Sequence, residues 1–189
     1  MTPINSYRHL TNGEIEMVRL IFSNAIDYDK VRIYNKDYLP FGLQKVNVAM
    51  SPNGNIYFSP QKFIEDFSIA SKEKKMWFMH EMTHVWQYQM GHKVFFNGLK
   101  IALSGGYKTG NIYEFTPTIS AKKLLSHFNM EQQAVMIEEY FAVKYLNDKK
   151  LKAKTHNEQN WQKFFRTYIQ VFNPTYATIF EKKNISLSG

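Results

Sequence analysis

Cysteine is absent from the 189 residues, which excludes disulfides, thiolate nucleophiles and every cysteine-containing zinc or iron–sulfur site. Long apolar runs are absent as well. Stretches such as Val94-Phe95-Phe96 last only a few residues, whereas a membrane-spanning helix needs roughly 18–20. Met1 to Leu10 lack the basic start and apolar run of a secretory signal. No internal repeat, low-complexity linker or nucleic-acid-binding fingerprint occurs, so no specific nucleic-acid partner is expected. What is present argues for a packed core: 44% of the residues are hydrophobic and 16% aromatic, which excludes wholesale disorder. The length suits one domain covering 1–189. The 24 Lys and Arg against 16 Asp and Glu give a net charge of +8, which favours encounter with polyanions without selecting one.

Local patterns predict an α+β chain, mostly helical. Thr11 and Glu14 have capping-box spacing, and Ile15, Val18, Phe22 and Ala25 follow along one helical face, ending near Asn24. Val31–Tyr34 reads as a short strand. Ser51-Pro52-Asn53-Gly54-Asn55 is a strong turn between Val46–Met50 and Ile56–Phe58, so a small sheet or hairpin is expected there. A long helix is predicted from Ser71 to Met90, with Gly91 placed as its cap. Residues 91–118 hold five of the nine glycines and read as loops or a hairpin. A further helix is expected from Met130 to Asn147, then a polar connector over Asp148–Asn157 and an aromatic helix over Glu158–Val171.

The long central helix carries His80-Glu81-Met82-Thr83-His84, an H-E-x-x-H sequence. Residues four apart lie one turn apart on the same face, so both imidazoles can reach one ion. Neutral imidazole is a good ligand for zinc. Glu81 sits about 100° round the helix, displaced from the ligand pair and placed to act on a water as a general base. This pattern is a signature of zinc peptidases.

A catalytic site of this kind needs a third protein ligand and one open position. Gln87 and Met90 stand where the extended form of the motif would carry glycine and histidine, so the third ligand comes from elsewhere. The helix from Met130 offers Glu131, Glu138 and Glu139. Glu131 and Glu138 share a face, so one can bind the ion while the other receives the second N–H of a ligating histidine. His127 is an outside candidate as ligand. Candidates for a donor to the scissile carbonyl oxygen are His127, Tyr107, Tyr113 and Tyr140. Gln87, one turn beyond His84, either faces the cleft or hydrogen-bonds across a helix pair.

The string His80-Glu81-Met82-Thr83-His84-Val85-Trp86-Gln87-Tyr88-Gln89 resembles the metallopeptidase domains carried by bacterial type VI secretion spike and Rhs/Vgr-related proteins. So do Leu10-Thr11-x-Gly13-Glu14-Ile15, Ala25-Ile26-Asp27-Tyr28-x-x-Val31-Arg32-Ile33, Pro52-Asn53-Gly54-Asn55-Ile56-Tyr57-Phe58 and Glu131-Gln132-Gln133-Ala134. The likeness runs over about residues 10–145 in separate blocks. It implies a zincin-like domain with a gluzincin-like site, one zinc ion and a glutamate as third ligand, Glu131 being the matching position. It also implies an antibacterial effector that is exported without a signal peptide, rides on a spike or other delivery protein and acts in the target-cell periplasm. A cognate immunity protein would protect the producer. The expected function is zinc-dependent hydrolysis of peptide or amide bonds. Alternatives are a zinc amidase acting on peptidoglycan and a non-catalytic cationic module binding nucleic acid or an envelope polymer.

Overall fold

Three short strands and five helices make up the regular structure of the computed structural model, which describes residues 1–103, 113 and 128–154. The helix expected over 158–171 lies outside these residues, as do Tyr107 and His127. In chain order the elements are β1 (Tyr7–His9), α1 (Asn12–Phe22), β2 (Arg32–Asn35), β3 (Ile56–Phe58), α2 (Lys72–Gln89), α3 (Val94–Leu103), α4 (Met130–Tyr145) and α5 (Lys149–Lys154). The sheet order is β1-β2-β3. β1 runs antiparallel to β2 with Arg8 opposite Ile33, and β2 runs parallel to β3 with Ile33 opposite Ile56. The fold is α+β, as the sequence patterns predict.

Two helix starts have a clear local cause. Thr11 Oγ1 accepts from the Glu14 amide at 3.1 Å and Glu14 Oε2 accepts from the Thr11 amide at 3.0 Å, completing the capping box of α1. Asn129 and Gln132 make the same reciprocal pair at the start of α4, at 2.9 and 3.1 Å. At its other end, α2 closes on Gly91 at φ +88°, with the Gly91 amide bonding the Tyr88 carbonyl and the His92 amide bonding the Gln87 carbonyl. That pairing satisfies the orphan carbonyls and needs a left-handed residue, which glycine supplies.

The core fills the space between the sheet, α1, α2 and α4. Val18 and Phe22 of α1, Ile33 and Phe58 of the sheet, Phe78, Met79 and Met82 of α2, and Met136 of α4 are all fully buried. Phe67, in a single 3-10 turn ahead of α2, stacks between Phe58 at 4.6 Å and Phe78 at 4.8 Å, and Trp77 meets Phe58 edge-on at 4.9 Å. These rings seat α2 on the sheet. Its other principal neighbour is α4.

Glu14 does more than cap a helix. It is fully buried, receives both Arg8 guanidinium nitrogens at 2.7 Å, and also accepts from the Phe67 amide at 2.9 Å. One carboxylate thus ties β1, α1 and the turn before α2 together. Arg8→Met is expected to cost about 3–5 kcal/mol of unfolding free energy, because it leaves that carboxylate buried without its cation. Urea denaturation measures it.

Three sequence expectations change here. Val46–Met50 does not form a strand: only Met50 pairs with Tyr57, through amide–carbonyl bonds of 3.1 and 2.9 Å. The Gln44 side-chain amide donates to the Val48 carbonyl at 2.9 Å and the Val48 amide donates to the Lys45 carbonyl, so Val48 bonds within its own loop and not across a sheet. Within the 91–118 stretch read as loops or a hairpin, residues 94–103 form α3. Gly98 in its middle hid a short apolar helix whose first residue, Val94, is buried. In the expected polar connector, Lys149–Lys154 forms α5.

Candidate metal centre

α2 presents His80 and His84 one turn apart towards α4, where Glu131 lies in the first turn. A carboxylate at that position is favoured by the partial positive charge of the helix N-terminus. His80 Nε2 lies 3.3 Å from Glu131 Oε2, His84 Nε2 lies 3.4 Å from the same oxygen, and the two Nε2 atoms are 3.3 Å apart. The three ligand atoms form a nearly equilateral triangle.

The surrounding hydrogen bonds fix which atoms carry protons. The Gln133 amide nitrogen donates to the Phe128 carbonyl at 2.9 Å, so its oxygen faces Gln87. The Gln87 nitrogen donates to that oxygen at 2.9 Å and to the Met130 carbonyl at 3.1 Å, which turns the Gln87 oxygen towards His84 Nδ1 at 2.8 Å. His84 Nδ1 must therefore donate. On the other ring, His80 Nδ1 lies 3.1 Å from Glu138 Oε2, and a carboxylate can only accept. With both Nδ1 atoms protonated, neutral rings turn both Nε2 lone pairs and a carboxylate oxygen towards one another.

Such an arrangement calls for a cation. In the metal-free protein protons supply it. Burial by itself would depress His80, but hydrogen bonds to Glu131 and Glu138 outweigh it and push its pKa up to about 10. Burial likewise disfavours charged His84, and the Glu131 charge overcomes this and raises it. Glu131 moves the other way: burial favours its neutral acid, yet the two histidines hold it well below the ordinary carboxylate range.

A metal suits the same three atoms. Zinc bonds of about 2.0–2.1 Å to imidazole nitrogen and carboxylate oxygen imply tetrahedral edges of about 3.3–3.4 Å, the length of the observed sides. Among the described residues, His80, His84 and Glu131 form a group that could hold a metal ion. The donor set fits a borderline divalent cation.

Glu81 stands beside this triangle, buried, with Oε2 accepting a 2.7 Å hydrogen bond from Ser51 Oγ. The 52–55 turn brings Ser51 there. Gly54, at φ +78°, packs so closely on α2 that a Cβ would lie 2.6 Å from a Tyr88 ring carbon. Nothing in the sequence marked Ser51, because a serine ahead of a turn has no periodicity to betray it. Gln133 was missed for a similar reason, and Gln87 resolves as a helix–helix bridge that also holds His84.

A cavity of about 730 Å³ opens over the triangle and is lined in part by Glu81, Glu138 and Tyr113. Burial and the charges of Glu131 and Glu81 raise the pKa of Tyr113, which keeps its hydroxyl protonated. Tyr140 lies about 200° round α4 from Glu138, and its hydroxyl accepts from Lys144 Nζ at 2.8 Å. His9 and His92 are exposed.

No protein-family model matches the chain. Among solved structures it is similar to the effector domain of Pseudomonas aeruginosa VgrG2b, with a TM-score of 0.66 and 32% identity over 81% of this chain and 84% of that one. The chain belongs to the VgrG2b effector-domain family. It is also 34% identical over 142 residues to the type VI secretion system spike protein VgrG2b of Pseudomonas aeruginosa. That match takes in 72% of this chain but spans only 13% of the curated relative. This is therefore a VgrG-related effector domain of the type VI secretion class, with a candidate metal-binding triad on its two central helices. Among the described residues no helix is long and apolar enough to cross a membrane.

Proposed function

We propose that this chain is a zinc metallopeptidase in which His80, His84 and Glu131 hold one ion and Glu81 is the general base. The reading is carried by one observation: three electron-pair donors converge at 3.3–3.4 Å, with both imidazole Nδ1 atoms committed to other partners. When bound, zinc would lower the pKa of water from 15.7 towards about 7 and polarise the scissile carbonyl. Ser51 engages Glu81 Oε2, leaving Oε1 to take the proton from the attacking water. The same carboxyl group then returns it to the leaving nitrogen. Tyr113, on the cavity wall with its hydroxyl protonated, would donate to the carbonyl oxygen as negative charge develops there.

Glu138 and Gln87 orient the two rings through their Nδ1–H groups. Gln87→Met is expected to weaken zinc binding about 10–100-fold, the usual effect of losing such a partner, as measured by competition with a chromophoric chelator. The test of the activity itself is to incubate zinc-loaded protein with casein and with isolated peptidoglycan, each with a chelated control. Metal-dependent cleavage of casein supports the reading. Hydrolysis that persists after chelation and metal removal overturns it.

By family, we place this activity in an antibacterial effector delivered with a secretion spike. It would act in the periplasm of the target cell and be restrained in the producer by a cognate immunity protein. Co-expression of a neighbouring gene product that abolishes periplasmic toxicity and co-purifies with this chain tests that assignment.

A further inference from the structure

The cavity over the metal triad is built from two kinds of surface. Its floor is polar: His80, Glu81, His84, Glu131 and Glu138. Its walls are mostly apolar. Leu43 and Val48 come from the turn region before Met50, Trp77 from α2, and Val94, Phe95 and Leu99 from α3. Among the described wall residues Lys45 is the one cation.

Several of these apolar side chains are uncovered. Leu43 is 69% exposed, Leu99 45%, Val48 44% and Phe95 37%, while Val94 and Trp77 are more deeply set. Exposed apolar side chains scattered singly mean little. Here they form the lip of one cavity that is continuous with the proposed reactive centre. At about 730 Å³ the cavity falls within the range of about 300–1,000 Å³ typical of small-ligand sites, enough for a peptide segment with bulky side chains.

We infer that this cleft selects extended peptides carrying a bulky apolar side chain, aromatic or branched aliphatic, next to the bond to be cut, with Leu43 and Leu99 as specificity-determining residues. The inference rests on the metallopeptidase reading of the same centre and adds the substrate class to it. Burying an apolar side chain against these walls removes both surfaces from water, so the driving force is the hydrophobic one. Peptidoglycan is a poor match. Its sugars present hydroxyls and its stem peptides present carboxylates, which call for hydrogen-bonding walls and several cations. The described walls supply mainly hydrocarbon and a carboxylate-rich floor. The chain's +8 charge is not concentrated here.

The experiment has two arms. In the first, the full zinc-loaded chain is incubated with a peptide mixture of known sequences and the cut sites are read by mass spectrometry. Leu43→Glu and Leu99→Glu proteins run in parallel, with zinc content and melting temperature checked; both side chains are exposed, so the fold should tolerate the changes. Cuts are expected beside Phe, Tyr, Trp, Leu or Ile, and each variant should lose about 10–100-fold in kcat/KM on such sites, the scale on which apolar pockets discriminate. In the second arm, inactive Glu81→Gln protein is titrated with fluorescent decapeptides bearing a central Leu-Phe or a central Ser-Gly, read by anisotropy. The Leu-Phe peptide should bind at least about tenfold tighter, and Leu99→Glu should remove the difference. Cleavage without side-chain preference, or cleavage unaffected by both variants, overturns the inference and leaves the metallopeptidase reading standing. If no peptide is cut, that reading fails, and the anisotropy arm still decides: equal binding of the two decapeptides overturns the substrate class.

Discussion

A Glu81→Gln protein is expected to hold one equivalent of zinc with near-normal affinity and to lose about 10²–10⁴-fold in kcat, the range attributed to a positioned general base. The side chain stands outside the triangle formed by His80, His84 and Glu131. Glutamine keeps its shape, and its oxygen can still accept from Ser51, so the packing of this buried position survives. What it cannot do is take a proton. Zinc content by mass spectrometry and turnover on one peptide, measured on the same preparation, separate the two roles. Loss of zinc would make Glu81 a ligand or a prop for one, and unchanged turnover would remove it from the chemistry.

Glu131→Ala is expected to have the opposite signature. Removing one of three protein ligands should lower zinc affinity by more than the about 10–100-fold ascribed to outer partners such as Gln87 or Glu138, and activity should vanish with the metal. The protein should stay folded. Its core of Phe22, Phe58, Phe67, Phe78 and Met136 does not run through the triad. The metal-free variant will differ in one further way. Without the Glu131 carboxylate, the burial that opposes charge on His84 has lost its main counterweight, so the upward displacement of His84 should shrink. Titration of the ring resonances by NMR, in variant and parent without metal, checks this. An unchanged His84 would mean that another group supplies the field.

How much of the fold and the site is legible in the sequence follows from the range of each interaction. The pair His80 and His84 was legible because helical geometry alone brings i and i+4 together. The capping box of Thr11 and Glu14 was legible for the same local reason. That Glu14 also receives Arg8 and the Phe67 amide was not, since those partners meet it only once β1 and the turn before α2 are packed. Glu131 could be named among the glutamates of α4 through its likeness to a family motif, but its distance to both imidazoles depends on how α2 and α4 pack. The roles of Ser51 and Gln133 are not legible in the sequence: Ser51 reaches Glu81 and Gln133 accepts from Gln87 only once distant segments are packed. The helix α3 was hidden by glycines on either side and within it. β1 is three residues with no turn signal beside it and leaves too short a pattern to read, whereas the equally short β3 is marked by the turn that precedes it.

The most direct test of the central claim is X-ray absorption at the zinc edge on protein loaded with one equivalent of metal. Zinc held by His80, His84 and Glu131 should show a shell of nitrogen and oxygen at about 2.0–2.1 Å, with the outer-shell scattering of two imidazole rings. One ring should be lost in His84→Ala, and the whole signal should fall to that of loosely held zinc in Glu131→Ala. A first shell without two imidazoles, or one unchanged by either substitution, would contradict it.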